Sequence, residues 1–151
     1  MDKFRSSDEI LDFAIEAEQH AADFYKELAS KSNNKAMIDS FLEFAKEEMG
    51  HKGQLMKIKK NGFLKFSQEQ VEDLKISDYL VDMTITDDIT YKEALILAMK
   101  REKSAYNLYM KISTKTDNSD LKAVLISLAN EEAKHKLRFE LEYDEYVLRE
   151  N

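Results

Sequence analysis

Moved 84 positions along itself without a gap, this chain lays Glu18 on Glu102, Tyr25 on Tyr109, Glu47 on Glu131, Glu48 on Glu132 and His51 on His135. The same register pairs Ala14 with Ala98, Ala21 with Ala105, Lys31 with Lys115, Asn34 with Asn118 and Ala45 with Ala129. The chain is thus two copies of one unit, at approximately residues 8–60 and 90–145. In each copy a Glu precedes a His by three positions, Glu48 with His51 and Glu132 with His135. On an α-helix such a pair lies one turn apart on one face, so an oxygen and an imidazole nitrogen can reach the same point. A lone Glu-x-x-His arises by chance on charged helices as part of a solvated face. Two copies in one register are much harder to dismiss.

Each copy reads as a helical hairpin. Ser6-Ser7-Asp8-Glu9 starts a first helix, in which Ile10, Leu11, Ala14, Ile15, Glu18, Ala21, Ala22, Tyr25, Leu28 and Ala29 follow a helical period to about Lys31. After Ser32-Asn33-Asn34 a second helix is expected from about Lys35 to Lys60, with Met37, Ile38, Phe41, Leu42, Phe44, Ala45, Glu48, Leu55, Met56 and Ile58 toward the core. Asn61-Gly62 ends it, glycine suiting a left-handed residue after the last turn. Inside this helix Gly50 and Gly53 each cost about 1 kcal/mol relative to alanine, which close approach of a neighbouring helix would compensate.

Residues 63–89 are irregular, with a short helix expected near Gln68–Leu74. A connection of this length can return along a helix of about 39 Å, so helices 2 and 3 can run parallel. Thr90 caps a third helix running to about Ser113, with Ala94, Leu95, Leu97, Ala98, Glu102, Ala105, Tyr106 and Tyr109 on one face. Ser119 starts a fourth, which continues toward Arg149 with a strongly charged end. The expected fold is all-α: one domain over residues 1–151, a four-helix bundle of two hairpins joined by a long crossover between helices 2 and 3.

Composition agrees and excludes several functions. There is no proline and there are three glycines, against an ample supply of Leu, Ala, Glu and Lys, which suits long helices and few tight turns. A net charge of −7 argues against nucleic acid and anionic membrane as partners. No apolar run approaches the roughly 20 residues that cross a bilayer, and Met1-Asp2-Lys3-Phe4-Arg5 leads into no signal-peptide core, so a cytoplasmic protein is expected. With no cysteine, thiolate catalysis, disulfides and thiolate metal sites are all excluded.

Glu18 and Glu102 each interrupt an apolar stripe, and a carboxylate on a buried face is costly unless it is paired or bound to a cation. Together with the two Glu-x-x-His pairs they make four carboxylates and two imidazoles about a pseudo-two-fold axis. Four such carboxylates repel strongly in a low-dielectric interior unless they are protonated or neutralised by cations, and two divalent ions supply the required charge. One Glu from each of two helices and Glu-x-x-His from each of two others is the ligand pattern of di-iron and di-manganese carboxylate bundles. His20 lies about 200° round the helix from Glu18 and reads as a surface residue. The competing reading is a metal-free interaction bundle.

Through Glu18-x6-Tyr25, Glu47-Glu48-x-x-His51, Glu102-x6-Tyr109 and Glu131-Glu132-x-x-His135 the chain resembles the rubrerythrin group of the ferritin-like superfamily. The resemblance implies that Glu48 and Glu132 bridge two iron ions, that Glu18 and Glu102 are terminal ligands, and that His51 and His135 hold one ion each. Tyr25 and Tyr109 would orient carboxylates through their hydroxyls. Glu47 and Glu131, about 100° off the ligand faces, would be surface or supporting groups. Manganese or zinc are alternative occupants.

A homodimer is expected, and the resemblance further implies reduction of hydrogen peroxide with electrons from an external donor such as a rubredoxin. A ferroxidase that oxidises Fe(II) with O2 is the alternative. Two departures bear on this choice. Rubrerythrins carry a cysteine-ligated rubredoxin-like domain, and this sequence has no cysteine. They also carry an extra Glu three positions after the third-helix ligand, linked to their peroxidase chemistry, where this chain has Ala105. The six ligands equally resemble those of bacterioferritin, and Met49 falls at its haem-ligating position; methionine is a common core filler, and no haem is expected.

Overall fold

The computed structural model describes residues 7–62, 76–84, 86 and 88–150. Four helices carry nearly all of it: α1 (Ser7–Lys31), α2 (Lys35–Asn61), α3 (Tyr91–Ser113) and α4 (Ser119–Glu150). A 3₁₀ turn, Ile76–Tyr79, lies in the connection between α2 and α3. The short helix expected near Gln68–Leu74 falls outside the described residues.

The caps repeat along with the ligands. Asn34 Oδ1 accepts from the amides of Ala36 and Met37 at 3.0 and 3.3 Å, and Asn118 Oδ1 accepts from those of Asp120 and Leu121, both at 3.0 Å. Each asparagine satisfies two of the amides that a helix start leaves without partners. Thr90 and Glu93 form a reciprocal capping box at the start of α3. Gly62, at φ 65°, closes α2 in the left-handed conformation.

α1 packs along α2, and α3 along α4, as two hairpins; α1 then meets α3, and α2 meets α4. Side-chain contacts fix the directions. Tyr25 of α1 reaches Glu102 of α3 while Tyr109 reaches back to Glu18, so α1 and α3 are antiparallel. Since α2 is antiparallel to α1, it runs parallel to α3, as a bundle with one long crossover requires. This is a ferritin-like four-helix bundle. Among the described residues no helix is long and apolar enough to cross a membrane.

Two apolar clusters fill the bundle. One joins Ile10 and Leu11 to Leu55, Ile112, Leu125 and Leu128; the other joins Phe24 and Leu28 to Met37, Phe41, Leu95 and Phe139. The six candidate ligands lie between them along every helix.

The burial pattern departs from expectation at Leu42 and Met56, which are 47% and 51% exposed. Each follows a fully buried residue, Phe41 or Leu55, and one step along a helix turns the side chain about 100° away from the core. Gly50 and Gly53 depart too. They are exposed, and a Cβ built on either meets nothing within 4 Å among the described residues, so no neighbouring helix compensates them. Gly50→Ala and Gly53→Ala are each expected to stabilise the protein by about 1 kcal/mol, read from chemical unfolding. A loss of stability would reveal something packed on this face.

Candidate metal centre

Glu18 from α1, Glu48 and His51 from α2, Glu102 from α3, and Glu132 and His135 from α4 converge midway along the bundle, each at most 3% exposed. Their burial follows from their places in the apolar stripes, since a helix that buries Ala14, Ala21 and Tyr25 also buries Glu18. The side chains form two overlapping groups, Glu18, Glu48, His51 and Glu132, and Glu48, Glu102, Glu132 and His135. Within each group, one ligand atom per residue lies within 4.8 Å of all the others. Glu48 and Glu132 belong to both.

Bonds crossing between the repeats hold the outer atoms of the set. The Tyr25 hydroxyl donates to Glu102 Oε1, and the Tyr109 hydroxyl to Glu18 Oε1. His51 donates from Nε2 to Glu131, and His135 from Nε2 to Glu47. Glu47 and Glu131 are themselves half-exposed and so connect the imidazoles to the surface.

One buried atom on each of the six then points inward without a well-aligned hydrogen bond: Glu18 Oε2, Glu48 Oε1, His51 Nδ1, Glu102 Oε2, Glu132 Oε1 and His135 Nδ1. They face one another at ion-pair distances, His135 Nδ1 2.9 Å from Glu48 Oε1 and His51 Nδ1 3.2 Å from Glu132 Oε1. Six donor atoms gathered this closely, none in a well-aligned hydrogen bond, form an arrangement that cations would satisfy. Carboxylate oxygen and imidazole nitrogen, with each imidazole oriented through its other nitrogen, fit divalent iron or manganese. The residues present thus fit two such ions.

One member of the site was not anticipated from the sequence. Arg101 is 4% exposed and directs its guanidinium among the four carboxylates. Nη1 donates to Glu48 Oε2 at 2.6 Å, to Glu132 Oε2 and, at 3.1 Å, to Glu102 Oε1, while Nη2 stands 2.9 Å from Glu18 Oε2. An arginine beside a surface-like Lys100 reads as solvated charge, and its counterpart in the first repeat is Ala17. A signal was nevertheless present, because Ala94, Ala98, Arg101, Ala105, Leu108 and Ile112 recur every three or four residues along the core stripe of α3.

Opposite charges face one another within the cluster. Burial disfavours the charged Arg101, but Glu132, Glu18, Glu48 and Glu102 outweigh it and hold the guanidinium firmly protonated. Burial, and then Glu132, Glu18 and Glu102 against the opposing pull of Arg101, push Glu48 well above the usual carboxylate range. Burial also raises Glu132, but Arg101 and His51 draw it below its ordinary value. Burial opposes charge on His51 too, yet the carboxylates of Glu132, Glu18 and Glu131 prevail and raise it to about 9. His135 is raised in the same way, with Glu102, Glu132 and Glu47 overcoming burial.

His20 is exposed, as its helical angle implies, and with Arg101 it borders a cavity of about 220 Å³ between α1, α3 and residues 79–83. Met49 is 40% exposed on the outer side of α2. Ala105 is buried one turn beyond Glu102 and lines the same cavity as Arg101.

A family model described as Rubrerythrin matches residues 9–143. Comparison with curated proteins and with solved structures returns no match.

These shifts give the metal-free protein a defined pH response. His51, raised from 6.5 to about 9, binds a proton on folding; its stabilisation is complete below 6.5 and is lost as pH rises through 9. Glu48 and His135 are also raised and act in the same direction, whereas the lowered Glu132 acts only below its ordinary value of 4.5. Chelator-treated protein is therefore expected to melt at a higher temperature at pH 6.5 than at pH 9. A flat or inverted profile would mean that the histidines are not charged within the cluster.

Proposed function

The chain belongs to the rubrerythrin family, and we propose that it is a non-haem di-iron oxidoreductase whose ions are held by Glu18, Glu48, His51, Glu102, Glu132 and His135. The reading rests on the six buried donor atoms that converge in two overlapping groups. Glu48 and Glu132, common to both groups, would be shared between the ions; Glu18 with His51 would hold one of them, and Glu102 with His135 the other. When bound in the ferrous state, two irons supply the two electrons that, with two protons, reduce hydrogen peroxide to two waters, and an external rubredoxin-like donor then returns those electrons.

The protein's own part is to hold and orient. Burial, together with Glu102 beside Tyr25 and Glu18 beside Tyr109, raises both tyrosine pKa values well above normal, so each hydroxyl stays protonated and keeps donating to its carboxylate. The bonds from Nε2 to Glu131 and Glu47 leave each Nδ1 facing the cluster. The apolar clusters above and below limit access by water along the bundle axis.

Ala105 favours a second reading. It places no carboxylate at the position linked to peroxide chemistry in rubrerythrins, and a ferroxidase that oxidises Fe(II) with O2 does not need one.

Two experiments test these assignments. Glu48→Ala or Glu132→Ala is expected to abolish binding of both ions, while Glu18→Ala or Glu102→Ala chiefly weakens one; elemental analysis that finds two irons in Glu132→Ala would reject the bridging role. In anaerobic stopped-flow, the diferrous protein is expected to be oxidised faster by stoichiometric hydrogen peroxide than by O2. Faster reaction with O2, followed by iron uptake well beyond two per chain, would assign it as a ferroxidase.

A further inference from the structure

The two repeats agree at every donor of the cluster and at both tyrosines, yet they differ at the residue before the lone glutamate, Arg101 in one and Ala17 in the other. Because of this one difference, a cation of the chain's own lies inside the site. Its contacts are selective. Arg101 Nη1 holds the Oε2 atoms of Glu48 and Glu132, and it leaves their Oε1 atoms to face His135 Nδ1 at 2.9 Å and His51 Nδ1 at 3.2 Å.

A carboxylate that gives one oxygen to each of two ions uses both oxygens, so neither of these two can bridge in that way while the guanidinium keeps its bonds. Charge leads to the same conclusion. Two divalent cations neutralise four carboxylates, and a guanidinium retained among them would then be a surplus buried charge, which is strongly unfavourable.

There is space beside the cluster to receive it. The cavity of about 220 Å³ is lined by Arg101 itself, by the small side chains of Ala14, Ala17 and Ala105, and by the exposed acidic residue Glu16.

We infer that Arg101 is a resident counter-cation that incoming metal displaces. Its guanidinium ties Glu48 and Glu132 together in the metal-free protein and withdraws into the neighbouring cavity toward Glu16 when ions take those oxygens. The inference rests on the di-iron reading above. Arg101 is thus a positioning residue that sets how tightly the site takes metal. It stabilises the empty bundle, and it weakens metal binding by the fraction of time for which it occupies the bridging oxygens.

The test compares wild type with Arg101→Met, Arg101→Lys and Glu16→Gln. Thermal melting is measured after chelation, and Fe(II) and Mn(II) affinities are measured anaerobically by competition with a chromophoric chelator. Arg101→Met is expected to melt lower than wild type without metal yet to bind metal tighter by about tenfold or more. A merely structural arginine would lower both quantities together, and that result, or unchanged affinity, overturns the inference. Arg101→Lys keeps the charge on a less branched group and is expected to fall between the two, which preserves the test if the methionine variant does not fold. Glu16→Gln is expected to leave metal-free melting unchanged and to loosen metal binding, since the withdrawn guanidinium loses its partner; unchanged affinity would remove Glu16 from the exchange. Uptake of two ions only in Arg101→Met would mean that the guanidinium is never displaced and would overturn the exchange. If neither protein bound metal, the di-iron reading itself would fail.

Discussion

Four carboxylates sealed inside a helical bundle must be neutralised, and the rest of this structure answers to that requirement. Burial of Glu18, Glu48, Glu102 and Glu132 is imposed by the apolar stripes that carry them, so the charge cannot be avoided by turning a helix. It is met instead by the two imidazoles and by the guanidinium of Arg101, which face the carboxylates directly. The same low-dielectric surroundings that make an unbalanced cluster costly make a divalent cation there strongly held.

The apolar parts serve this arrangement by their placement. One cluster gathers the start of α1, the end of α2, the end of α3 and the start of α4; the other gathers the opposite ends. This distribution anchors all four helices on both sides of the polar middle. The ligand atoms can then remain close together without the bundle opening to relieve their repulsion. Phe44 stacks on the His135 ring, with centroids 4.2 Å apart, and restrains that imidazole from the side.

The hairpins, their caps and the gathering of the six polar residues were legible in the sequence because each leaves a periodic or repeated trace. Asn34 and Asn118 occupy equivalent positions, as do Glu48-x-x-His51 and Glu132-x-x-His135, and the helix limits follow from Thr90, Gly62 and the asparagine breaks. What was missed left a weaker trace: for Arg101, only its place in the periodic core stripe of α3. Arg101 has no counterpart in the first repeat, and its length lets it act one residue away from the ligand face. Leu42 and Met56 are apolar residues adjacent to buried ones, and hydrophobicity alone does not say which neighbour faces inward. The partners of Glu47 and Glu131 lie in the opposite repeat, and no local pattern encodes a contact across 80 or more positions.

Those crossed contacts carry a consequence for the history of such a chain. Neither hairpin completes its own half of the site: the first lends Tyr25 to the second's Glu102 and takes Tyr109 for its own Glu18, and the imidazoles exchange acidic partners in the same way. A single hairpin paired with an identical copy could make every one of these contacts by symmetry, so an ancestor half this length could have assembled the same donor set as a dimer. Fusing the copies frees one to change without the other. In a symmetric dimer an arginine at this position would enter twice and crowd the space, whereas in the fused chain Arg101 enters once, opposite Ala17.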